Sequence, residues 1–98
     1  MKDGQLEFPQ YLIERIKFEH DRQIQKWGIQ DHASPEWMLI LNEEVGELNK
    51  AVLENWFSDY NKFTPEQLEL SLANVIKEAI SVATLALKIA EMFEKEGD

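Results

Sequence analysis

Four glutamates carry the most chemistry in this sequence. Three form the run Glu43-Glu44-x-x-Glu47, and Glu78 stands alone in an apolar stretch further on. At about 100° per residue, the first three fall within an arc of roughly 100° on a helix. Their neighbours say more than the arc does. Ile40 precedes Glu44 by one helical turn, Leu48 follows it by one and Ala51 by two, so Glu44 stands in the apolar stripe, with Glu47 at the stripe's edge. Glu78 repeats the pattern between Val75, Val82 and Leu85. A carboxylate on a packing face is expensive unless something meets it. Only Lys50 and Lys77 are near in sequence, and helical geometry turns Lys77 outward.

If two helices bring these faces together, the carboxylates converge and repel, and a hard divalent cation would remove the repulsion. Mg2+, with Mn2+ as the alternative, suits oxygen donors and retained waters, and helix-borne glutamates build metal sites inside bundles. Two plainer readings stand beside this one. The pattern Glu-Glu-x-x-Glu is common on solvated helices, and in a dimer these side chains could pair with Arg15, Arg22 or Lys26.

The elements that would position the acids are legible from punctuation and period. The turn-forming residues cluster twice, at Gly28, Asp31, Ser34 and Pro35 and again at Ser58, Asp59, Asn61, Thr64 and Pro65. A first helix is predicted over 9–27. A second starts at Ser34-Pro35, a serine cap followed by proline at the first helical position, and runs to about 57. A third starts at Thr64, where Thr64 and Gln67 form a capping box around Pro65, and runs to about 96 with room for a kink near 71–74. Its predicted apolar face takes in Leu72, Ile76, Ala79, Leu85, Ala86 and Phe93. Gly46 costs the second helix up to about 1 kcal/mol relative to alanine, which a close approach by another helix or a ligand would explain. Nothing alternates with period two for long enough to make a sheet. The predicted fold class is all-α, an antiparallel helical bundle of one domain over 1–98.

Composition narrows the function. With 98 residues the core is small, and pairing with another copy is a natural supplement. Nineteen acids against ten bases give a net charge of −9, which disfavours nucleic-acid polymers as partners. The chain has no cysteine, so thiolate metal sites and disulfides are excluded. The apolar stretches read as too short for a bilayer and the first residues lack a signal-peptide pattern. The expectation is a cytoplasmic protein with no membrane partner.

Taken together, the motifs resemble the short single-domain form of the MazG-like nucleotide pyrophosphohydrolases, all-α members of a nucleoside triphosphate pyrophosphatase superfamily. The resemblance is carried by Glu43-Glu44-x-x-Glu47 and Glu78, and upstream by Asp21-Arg22-Gln23-x-x-Lys26-Trp27-Gly28-x-Gln30-x-His32 with Trp37 and Leu41 following. It covers roughly 18–90. It implies a helical protomer that assembles as a homodimer or homotetramer. It also implies Mg2+-assisted attack of water on the α-phosphorus of a nucleotide, giving a monophosphate and pyrophosphate. By the same resemblance Glu44, Glu47 and Glu78 would be metal ligands, and Glu43 would orient or deprotonate the water or join a second metal. One position departs from the pattern. The second acidic motif is usually Glu-x-x-Asp, and Ser81 occupies the aspartate's place.

Such chemistry needs positive charge at the phosphates, for which Arg22, Lys26 and Lys50 are the candidates; surface roles, or pairing of Lys50 with Glu47 or Glu54, are the plainer alternatives. Trp27 and Trp37 could stack on a base or anchor the core. Asn74, one turn before Glu78, could contact a base or sugar or cap a kink, and Ser81 belongs with these substrate-side residues. Two rival functions remain at this point: a non-catalytic helical module retained for dimerisation, nucleotide sensing or partner binding, and, less favoured, an acidic mimic of nucleic acid.

Overall fold

The computed structural model describes residues 9–27 and 34–97, apart from the side chains of 27, 96 and 97. Three helices account for nearly all of them: α1 (Gln10–Trp27), α2 (Ser34–Trp56) and α3 (Pro65–Gly97). The described residues contain no strand, as the lack of period-two alternation predicted. The first predicted turn falls within 28–33, outside the described residues.

The second turn is well defined. The Thr64 backbone N–H donates to Gln67 Oε1 at 2.8 Å and the Gln67 N–H donates to Thr64 Oγ1 at 3.1 Å, the predicted capping box. Before it, the Asn61, Lys62 and Phe63 amides donate to the carbonyls of Phe57, Asp59 and Ser58, and Lys62 takes the left-handed conformation at φ 55°. This connection folds α3 back along α2. The kink allowed for near 71–74 is absent, because α3 is helical without interruption from Pro65 to Gly97.

At a rise of about 1.5 Å per residue a helix of this length is roughly 50 Å long, and the molecule's longest dimension is 51 Å. α3 is therefore the spine. α1 and α2 each pack on α3, and the described residues of α1 and α2 do not pack on each other. The core is correspondingly small: Trp37 and Ala51 from α2, with Ile80, Thr84 and Leu85 from α3. The Thr84 hydroxyl donates to the Ile80 carbonyl at 2.7 Å, so this buried polar group is satisfied within its own helix.

Of the two roles open to Trp37, burial selects the core anchor, since it is only 6% exposed. Two sequence expectations are corrected here. A Cβ on Gly46 would meet nothing within 4 Å, so no close approach by another helix of the described protomer explains that glycine. The apolar face predicted for α3 is too broad, since Leu72, Ile76, Ala79, Ala86 and Phe93 are exposed. Two neighbours on a helix leave a third side uncovered. By length and composition α3 also passes for a membrane-crossing helix over Pro65–Lys95, contrary to the view that its apolar stretches are short. From 70 to 87 its charged residues are Lys77 and Glu78 alone.

Candidate functional site

A groove of about 560 Å³ runs where the three helices meet. Glu44 and Glu47 reach it from α2, Glu78 and Ser81 from α3, and Arg22 from α1. Ile40 and Leu85 give it apolar wall, and exposed Lys77 stands at its rim.

The central contact is between two acids. Glu44 lies twelve residues before the end of α2 and Glu78 thirteen after the start of α3, so the hairpin brings them opposite each other. Both are half-buried. Burial first, then the Glu78 charge, then a hydrogen bond with the Glu78 side chain raise the Glu44 carboxyl above the ordinary glutamate value of 4.5. Glu47 and Glu43 push weakly the same way, and no cation contributes to the shift. Two carboxylates in such contact hold a proton or a cation between them.

This shift has a consequence for stability with a definite sign. In the window between the ordinary glutamate value and Glu44's raised one, the folded chain holds a proton that the unfolded chain has released. Stability therefore falls as pH rises through that window, and the loss is complete above it. The metal-free protein should melt at a higher temperature just above pH 4.5 than at neutrality, and Glu44→Gln should flatten that part of the curve. Glu19, held low mainly by its hydrogen bond to Arg22, acts in the opposite sense but below the ordinary range. Melting curves against pH for the two proteins check this, and an unchanged slope in the variant would refute the coupling.

The cationic side of the groove is organised by α1. Arg22 donates Nη2–H to Glu19 Oε1 at 2.7 Å and Nε–H to Glu19 Oε2 at 3.0 Å, a two-pronged pair within one helix. Gln23 donates to Glu19 at 3.0 Å and accepts from Lys88 Nζ on α3. Burial lowers the Lys88 pKa, with the Glu19 charge opposing. Glu19, Gln23 and Lys88 thus fix Arg22 and α1 against α3. From the sequence, Gln23 enters only as part of the upstream motif, and Glu19 and Lys88 do not enter at all. The i,i+3 spacing of Glu19 and Arg22 was visible there, whereas the 65-residue separation of Gln23 and Lys88 was not.

Of the expected site residues, Glu44, Glu47, Glu78, Ser81 and Arg22 share the groove. Glu43, Lys26 and Lys50 are exposed and Asn74 half-buried, and none of the four lines it. The Trp27 side chain lies outside the described residues. Within the protomer Arg22 is engaged by Glu19, and the shift of Glu44 owes nothing to a cation.

No three His, Asp or Glu side chains among the described residues are grouped closely enough to hold a metal ion by themselves. Two carboxylates in contact, with a third on the same groove, nevertheless suit Mg2+, which is usually bound by one or two carboxylates together with waters and substrate phosphates. No family model, curated protein or solved structure matches this chain.

Proposed function

We propose that this chain is a Mg2+-dependent nucleotide pyrophosphohydrolase of the MazG-like kind, acting in the groove between α1, α2 and α3. The observation that carries the reading is the contact of Glu44 with Glu78, two half-buried carboxylates that face each other across the hairpin. Glu44 and Glu78, with Glu47 on the same wall, would hold Mg2+ delivered with the nucleotide. When bound, the ion polarises the phosphates and lowers the pKa of a bound water.

The protein's own contribution is positional. Ile40 and Leu85 give the groove apolar wall, and Arg22, aimed by Glu19, places a guanidinium beside the carboxylates for the phosphate charge. Lys77 adds a second positive charge at the rim. Glu43 would act as proton acceptor only by turning inward, because it lies outside the groove's lining.

Ser81 supports a second reading, nucleotide binding without turnover. It lines the groove one turn after Glu78, where a further carboxylate would complete the cation site. Ser81→Asp should therefore raise Mg2+ affinity about tenfold or more, since affinity for hard cations follows the number of charged ligands. Calorimetric titration with Mg2+ measures this; equal affinities would place the cation elsewhere.

Pyrophosphate release from a panel of canonical and modified nucleoside triphosphates, with Mg2+, Mn2+ or chelator, decides between the two readings. Metal-dependent release is expected. A folded protein that binds nucleotide and releases none would establish the second reading.

A further inference from the structure

A second hollow, of about 480 Å³, lies between α1 and α3 beside the groove. Glu19 and Lys77 line both, so the two spaces adjoin across a shared wall. Their linings differ. The groove gathers carboxylates, whereas the hollow gathers rings: Tyr11 and Phe18 line it, 65% and 71% exposed, with the buried side chain of Ile80 beneath. Exposed rings beside a charged groove form a platform on which a flat ligand can stack.

Helical geometry sets what fits there. Tyr11 and Phe18 are two turns apart, so they stand on one line of α1, roughly 10 Å from each other along its axis. Two rings at that spacing can lean in on a flat ring between them, at about 3.5–4 Å from each of its faces. Glu14 and Arg15 lie between the two rings in sequence and line the same hollow. As consecutive residues they diverge by about 100° around the helix, one on either side of the aromatic line. The space between the rings is therefore met at its rim by a carboxylate on one flank and a forked donor on the other.

We propose that this hollow takes the base of the nucleotide, and that the base is guanine or a related 6-oxopurine. The inference rests on the reading of the groove as the metal and phosphate site. Guanine is the base whose edges match the rim. Its O6 and N7 are adjacent acceptors, which an arginine fork meets with two parallel bonds. Its N1–H and N2–H2 donors lie on the next edge and suit a carboxylate. Arg15 takes the first edge and Glu14 the second, with Tyr11 and Phe18 on the two faces. Adenine presents its N6–H2 donor where guanine has O6, and so sets donor against donor at Arg15. Hypoxanthine keeps O6, N7 and N1–H but has no N2 amine, and gives Glu14 less to accept. Arg22 follows Phe18 by one turn on the same side of α1 and lines the groove. Base, sugar and phosphates thus run along α1 from Tyr11 towards Arg22.

Nucleoside monophosphates test the base pocket apart from turnover, because they carry the base and have no pyrophosphate to release. Calorimetric titration of the full chain with GMP, IMP and AMP should rank them in that order, with GMP about tenfold or more tighter than AMP. Arg15→Ala should bring GMP and IMP down to the level of AMP. Glu14→Ala should remove the margin of GMP over IMP. Phe18→Ala should weaken all three by about tenfold. All three positions are exposed, so the fold tolerates the changes. Pyrophosphate release from the corresponding triphosphates reads the groove separately. The expected ranking without any release supports the base pocket and removes the hydrolytic reading. Equal release from all three triphosphates, with GMP no tighter than AMP, overturns the base pocket and leaves the groove's chemistry standing. A ranking that survives both Arg15→Ala and Glu14→Ala also overturns it, as does a change of the chain's mass in Phe18→Ala, which would assign the rings to a protein contact.

Discussion

Glu78→Gln is expected to lower Mg2+-dependent pyrophosphate release by about a thousandfold or more, the scale of losing a group that organises transition-state charge. The reason is its place opposite Glu44 across the hairpin, where the two carboxyls form one unit. The amide keeps the side chain's shape and can donate to Glu44, so the fold survives. It removes the charge that raises Glu44, so the metal-free variant should melt at a higher temperature than the wild type while binding Mg2+ more weakly. A loss of activity combined with a rise in metal-free stability distinguishes a removed ligand from a damaged fold. Full activity in the variant would move the chemistry out of this groove altogether.

Trp37→Ala is expected to cost about 3–5 kcal/mol, the usual range for deleting a buried aromatic. Domains of this kind are stable by only about 5–15 kcal/mol in total. The effect is large because so little else is buried: Ala51, Ile80 and Leu85 complete the apolar core of the described residues. Trp56, at 78% exposure, supplies the control, since Trp56→Ala should cost the isolated protomer far less. Urea unfolding followed by circular dichroism measures both. Equal losses at the two positions would mean that the core is not where the burial puts it.

Helix limits and the Thr64–Gln67 cap were readable in the sequence because they depend on local chemistry: proline, a capping hydroxyl and turn residues act within four positions of themselves. Glu44 and Glu78 were readable for a related reason. A charge at apolar spacing is a local contradiction, and the groove is where α2 and α3 bring two such contradictions together. Glu43 and Lys50 show the limit of that method. Each stands one or three residues from a groove residue, yet the turn of the helix carries it to the surface. The Gln23–Lys88 contact depends on how α1 lies across α3, which no spacing within either helix encodes. The exposed half of α3's apolar face was unreadable for the same reason, because periodicity marks a side that can pack and is silent on how many neighbours come to pack on it.

The arrangement of one spine with two separate flanking helices divides the molecule's cooperativity. α2 and α3 share the core and the capped turn, whereas among the described residues α1 packs only on α3, by Gln23 on Lys88 and beside Lys77 and Ile80. Partial opening events that release α1 therefore leave the α2–α3 hairpin standing. Such an opening takes Arg22 and Glu19 away together and leaves Glu44 and Glu78 in place, so the groove's positive wall and its negative wall belong to different cooperative units. Anything that bridges the two walls adds its own binding energy to the weaker unit and slows its release.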